Sequence, residues 1–163
     1  MAGKRLCGKN YQSLVFFSER VINEEFLFFA ANNIYSPSYV SFETAMSYYQ
    51  LIPEGVYAIT SATSIKTNEF ETGTGTFIYH HLKPSLFFGY HLVEAGDQRI
   101  KMAEVEKTIL DYFYINENIN TNEAFAGMRM NTDVLLSRLN VEKLNAYLKI
   151  YSCLLYTSPS PRD

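Results

Sequence analysis

Tryptophan is absent from the 163 residues, and there are only two cysteines, five prolines and eight glycines. The cysteines, Cys7 and Cys153, stand near opposite ends, with no CxxC pair. That fits a reducing cytoplasm and gives no support for a disulfide framework or a zinc site. No apolar run approaches the roughly 20 residues a membrane-spanning helix requires. The basic opening (Lys4, Arg5, Lys9) is followed by an apolar stretch too short and mixed for a secretory signal. Charge of either sign is thin, with 14 basic and 17 acidic residues and a net charge of −3. This argues against a protein that binds nucleic acid over its whole surface and leaves room for a local basic patch. There is no internal repeat, no glycine-rich phosphate loop, no GxSxG turn and no block of like charge.

What is present is an apolar fraction of 47% carrying 13 Tyr and 12 Phe, the composition of a chain that packs a core. A polar tail is expected through residue 17, with a short strand over 11–17. Ser18 is a candidate helix cap. Apolar positions Ile22, Phe26, Phe29, Ala30 and Ile34 then form one helical stripe. Ser36-Pro37-Ser38 reads as a turn. Ser41 caps a second helix with Phe42, Ala45, Met46 and Tyr49 on one face, stopped by Pro53. Strands are expected over 56–63, 76–82, 86–94 and 99–102, with turns at 72–75 and 95–98. A helix over 103–114 faces Val105, Ile109, Tyr112 and Phe113 inward, and shorter helices cover 122–130, 132–139 and 141–151. The fold class is therefore α+β: a small, mostly antiparallel sheet of about three to four strands packed with helices, and a helical C-terminal third.

Candidate chemistry is sparse. The only histidines are His80, His81 and His91. If 76–82 paired with 86–94, His80 or His81 would approach His91 across the sheet. Neither Glu94 nor Asp97 completes a metal-ligand spacing, so no metal site and no cofactor are expected. Glu104, Glu106, Lys107 and Asp111 cluster on one helix, where Lys107 and Asp111 are spaced to pair. The reading adopted is a solvated, salt-bridged face. Lys66, Lys83, Arg99 and Lys101 flank the strand turns and are candidate DNA contacts. No residue qualifies as catalytic.

Several segments resemble, in order, the AbiEi family of antitoxins. Tyr39-Val40-Ser41 with Glu43, Ala45 and Leu51-Ile52-Pro53-Glu54 resembles its Y-(I/V)-S-x-E-x-A…L-I-P-E run. Lys66-Thr67 with Phe70 and Thr72 resembles K-T-x-x-F-x-T, and residues 77–83 (FIYHHLK) resemble F-x-Y-x-H-(I/L)-K. Residues 86–90 match L-F-F-G-Y, and 103–111 resemble A-x-P-E-K-A-L-L-D. Val105 stands where the family often has proline, and Gln50 where it often has glycine. The resemblance covers roughly 18–150.

It implies a non-enzymatic antitoxin that counteracts a nucleotidyltransferase-like toxin in phage abortive infection. Full-length relatives also repress their own operon by binding promoter DNA. The family's winged helix-turn-helix would not fit before residue 18, so 18–152 is expected to be the antitoxin domain. Residues 153–163 (CLLYTSPSPRD) resemble translated sequencing-adapter read-through and are expected to be non-native. Tyr39, Lys66, Lys83, Glu106 and Lys107 are the candidate functional surface. Tyr48, Pro53, Phe70, Phe88, Gly89 and Tyr90 are read as structural. The alternatives are a DNA-binding transcriptional regulator without an antitoxin role, and a metal-dependent nuclease using Glu106 or His81.

Overall fold

A computed structural model of the chain describes residues 23–119 and 121–157. The expected tail, the strand over 11–17, the Ser18 cap and the prolines after residue 158 lie outside the described residues. Helix α1 (Glu24–Ile34) is capped by Asn23, whose side-chain oxygen accepts the Phe26 N–H at 2.8 Å. Strand β1 (Ser38–Val40) leads into α2 (Phe42–Tyr48). Then come β2 (Ala58–Thr63), β3 (Asn68–Thr72) and β4 (Gly75–His81), a 3-10 turn (Pro84–Leu86), and the hairpin β5 (Tyr90–Ala95) and β6 (Gln98–Ala103). Four helices follow: α3 (Val105–Ile115), α4 (Asn122–Gly127), α5 (Thr132–Arg138) and α6 (Val141–Thr157).

The strands form one six-stranded sheet in the order β3-β4-β2-β1-β6-β5. This corrects the expected small, mostly antiparallel sheet. The sheet is mixed, because β2 runs parallel to β4 and β1 parallel to β6. Helices are not confined to the C-terminal third, since α1 and α2 precede most of the sheet. Two strands escaped the period-2 pattern for physical reasons. β1 is three residues long and buried on both faces, so it shows no alternation. β3 is an edge strand whose residues are mostly exposed, and its sequence NEFET lacks the apolar signal. The apolar run 86–94 splits: Leu86 ends the 3-10 turn and β5 begins at Tyr90. Between them Gly89 has φ +71, a left-handed conformation that interrupts a strand. α6 continues to Thr157, past the expected break at 153.

Each face of the sheet has its own cluster. On one, Phe28, Ala30 and Ala31 of α1 pack on Val40, Ile59, Phe77, Tyr79, Ile100 and Met102. The buried stripe of α1 is thus centred on Phe28 rather than on the expected Phe26 and Phe29, which are half-buried. On the other face lie Tyr39, Ala62, Leu82 and Ala103, with Leu110 of α3 and Tyr151 of α6. Phe113 is half-buried and stacks on Phe125 with ring centres 6.0 Å apart, so it is peripheral.

Polar pins set the helices on this sheet. Thr44 and Thr60 exchange hydroxyl and backbone hydrogen bonds of 2.8–3.1 Å, locking α2 to β2. The Asn32 side chain bonds both the N–H and the carbonyl of Lys101, tying α1 to β6. Gln50 has φ +61, a conformation glycine adopts without strain, at the position where the resembled motif often carries glycine.

Phe28→Ala should cost about 3–5 kcal/mol, while Phe29→Ala and Phe113→Ala should cost clearly less. Urea denaturation midpoints of the three variants test this. Equal losses from Phe28 and Phe29 would contradict the face assignment.

Candidate functional site: a buried polar cluster and a basic sheet end

The sequence-singled residues gather in two places. The first is internal. Lys107 and Asp111 sit one turn apart on α3, and both side chains are 0% exposed. The solvated-face expectation for this helix is therefore overturned. Tyr39, Glu106 and Lys107, expected on a functional surface, are 0%, 3% and 0% exposed. Sequence periodicity missed this because charge was read as exposure. Most of the first two turns of α3, from Val105 to Thr108 together with Leu110 and Asp111, are buried regardless of polarity.

Asp111 accepts from four donors. Lys107 Nζ donates to Oδ1, and the Tyr151 hydroxyl reaches the same oxygen at 2.5 Å. The hydroxyls of Tyr39 and Ser41 each donate to Oδ2 at 2.9 Å. Ser41 occupies the N-cap position of α2, as expected, but spends its hydroxyl on Asp111 rather than on the helix. Lys107 Nζ also meets the Tyr151 oxygen at 2.6 Å. Its charge lies over the rings of Phe88, Tyr151 and Tyr39 at 5.0, 5.1 and 5.7 Å from their centres.

Burial pushes the Asp111 carboxyl up and the Lys107 ammonium down, each opposed by the charge of the other. With only donors around Asp111, the hydrogen-bond pattern is that of a carboxylate facing an ammonium. Burial first, and then the Asp111 charge, raise Tyr39 and Tyr151 far above the ordinary phenol range, so both stay protonated donors. Gly89 completes the enclosure. A Cβ there would lie 3.1 Å from Lys107 Cγ and Cδ and from Tyr147 Cε2.

The cluster continues along α6. Glu106 Oε1 accepts the Asn140 N–H at 2.6 Å. Glu104 accepts from Lys143 Nζ at 3.1 Å and from the Tyr147 hydroxyl at 2.6 Å. Asn140, just before α6, and residues 143, 147 and 151 within it recur at helical spacing, so polar groups along one stripe hold α6 to α3 and the residue before it. Burial raises the Glu104 carboxyl, but the hydrogen bonds from Tyr147 and Lys143 outweigh it and leave the group below its ordinary range. Burial and the Glu104 hydrogen bond push Tyr147 up to about 12.

The second place is one end of the sheet. β2 and β4 finish side by side at Thr63 and His81, so Lys66 and Lys83 follow them at that end. β1 starts there, with Ser38 opposite Thr63, and β6 runs parallel to it with Met102 beside Val40. That register sets Arg99 at the same end and Lys101 two residues further in. Lys66 and Arg99 are exposed, while Lys83 and Lys101 are half-buried. Arg99 lies opposite Glu94 across the β5–β6 ladder, which offsets its charge. The suggested approach of His80 or His81 to His91 does not occur, because β2, β1 and β6 separate β4 from β5. No group of three or more His, Cys, Asp or Glu among the described residues is placed to hold a metal ion. No helix among them is long and apolar enough to cross a membrane.

Comparison with known protein families, with curated proteins and with solved structures finds no match to this chain.

Lys107→Ala should destabilise the protein by about 3–5 kcal/mol, because it leaves a buried carboxylate unpaired. Lys107→Met with Asp111→Leu should cost much less than the two single changes summed. A double-mutant cycle in urea measures the coupling, and additive losses would contradict a mutually dependent pair.

A pH dependence follows from His80, half-buried and T-shaped to Phe42 with ring centres 5.0 Å apart. Burial lowers its proton affinity, opposed by the charge of Glu43. The unfolded chain then binds the proton more readily, so stability is lost as pH falls from about 6.5 through the folded-state value. The depressed Glu104 carboxyl adds a separate loss at lower pH, below about 4.5. His80→Phe should flatten the first slope and Glu104→Gln the second, in melting temperature measured against pH.

Proposed function

We propose that this chain is a non-enzymatic antitoxin domain that counteracts a nucleotidyltransferase-like toxin in the cytoplasm. One observation carries the reading. The segments that resemble the antitoxin motifs are scattered from residue 39 to residue 111, yet their distinctive residues meet. Tyr39 and Ser41 from the first segment, Gly89 from the fourth, and Lys107 and Asp111 from the last all build the buried cluster. Glu106, from the last segment, anchors the start of α6 beside it.

Spacing of this kind has a physical reason to recur as a set, since each member covers a charge or leaves room for one. Gln50 adds to it: the motif's usual glycine suits the left-handed backbone found there. On this reading the motifs maintain the domain, and the contacts with partners come from the surface the domain presents. The role is one of recognition, with the antagonism carried by binding rather than by chemistry on a substrate.

The test is growth rescue. The full chain is co-expressed with the nucleotidyltransferase-like protein encoded beside its gene, and circular dichroism confirms that it is folded. Rescue is expected, and a folded chain that fails to rescue would overturn the proposal. The folded Lys107→Met/Asp111→Leu variant should rescue as well as the parent, because the cluster maintains the fold and touches no partner.

A further inference from the structure

The sheet ends on one side in β5, whose strand neighbour is β6. The turn of Gly96 and Asp97 closes on the pair Ala95 and Gln98. Gly96 has φ +59, which suits a two-residue hairpin turn. Such a turn closes on a hydrogen-bonded pair, and these pairs alternate along an antiparallel ladder. Ala95, Val93 and His91 therefore spend their backbone groups on β6. Those of Tyr90, Leu92 and Glu94 point away from the sheet. No backbone partner meets Leu92 or Glu94 there among the described residues.

The two edges of the sheet differ in how they guard against pairing. β5 (YHLVEA) has no lysine and no proline, and its ladder with β6 runs from Tyr90 to Ala95 without a bulge. Leu92 is 52% exposed. Tyr90 stacks on Tyr39 with ring centres 4.9 Å apart, which ties the strand to the core. At the other edge, the Gly73–Thr74 turn closes on Thr72 and Gly75, so the backbone of Glu69 and Glu71 faces outward in β3. Two copies of β3 centred on each other would set glutamate opposite glutamate, which repels. Two copies of β5 meet no such clash. A two-fold axis at Leu92 engages all three outward residues. Leu92 then meets its own counterpart, Tyr90 meets Glu94 and His91 meets Val93. Glu94 keeps Arg99 on its β6 side and gains a phenol on the other. Like charges are nowhere opposed.

We propose that β5 is a self-association edge: it pairs antiparallel with β5 of a second copy of this chain about a two-fold axis at Leu92, joining the two sheets into one. This pairing does not depend on the antitoxin reading. A single short strand buries little against the roughly 1,200 Å² of a standard stable interface, so the dimer belongs in the micromolar range or above.

The experiment is sedimentation equilibrium of the full chain from about 10 μM to about 1 mM, with backbone amide exchange measured across the same series. A monomer–dimer equilibrium is expected. Exchange at the Leu92 and Glu94 amides should slow as concentration rises, while the Val93 amide, bonded to β6, stays protected throughout. Leu92→Lys changes a side chain that is already exposed and should leave the circular dichroism spectrum unchanged. It should weaken the dimer by about tenfold or more, because it sets two ammonium groups across the axis. Leu136→Lys, on α5 and 70% exposed, should leave the dimer intact. A monomer throughout the series would overturn the proposal, as would a dimer that Leu92→Lys leaves unchanged or that Leu136→Lys abolishes. Leu92 and Glu94 amides protected equally at every concentration would also overturn it, since the chain would then cover its own edge.

Discussion

An ammonium and a carboxylate enclosed together in the interior govern the arrangement around them. Each ion alone would cost several kcal/mol to remove from water, and mutual attraction repays that only when the remaining donors and acceptors are also satisfied. Here the satisfaction comes from distant parts of the chain. β1 supplies Tyr39, the turn into α2 supplies Ser41, and the last helix supplies Tyr151. The segment before β5 supplies Phe88 and the absent side chain of Gly89. Local strain is tolerated beside this network: Phe42, next to Ser41, has φ +57, which costs a bulky residue about 1–2 kcal/mol.

Much of the helical architecture was legible in the sequence. The second helix, the helix at 103–114 and the three short C-terminal helices fall close to their expected places, because apolar spacing and capping residues speak directly to a 3.6-residue period. The sheet was legible where a strand is long enough to carry an apolar or β-branched run, as β2 and β4 do. β1 and β3 were invisible for opposite reasons, one buried throughout and one nearly all exposed. The pairing of parallel neighbours such as β2 and β4 has no local signature, since β3 intervenes in the chain and the partners are brought together by the hairpin.

The functional candidates divide along the same line. Charged residues at helical spacing ordinarily mark a solvent-facing surface, yet Glu106, Lys107 and Asp111 are buried. A compensating signal did exist: Gly89 set among aromatic residues marks a place where something must approach the backbone closely. What approaches is the Lys107 stem, which sequence spacing does not reveal. Lys66 was singled out for its charge and does lie in the open.

The three residues of β1 join two parts of the sheet that are otherwise each built from nearby chain. β2, β3 and β4 come from residues 58–81, and β5 with β6 from residues 90–103. β1 pairs with β2 over three positions and with β6 through a single bridge, Val40 with Met102. Each part closes short loops and has low contact order, whereas joining them orders the chain between residues 40 and 102. The pairing of β6 with β1 also sets Tyr39 and Ser41 beside Asp111. The assembled sheet and the enclosed charge pair arise together, so a half-formed sheet has no dry place in which to keep that pair.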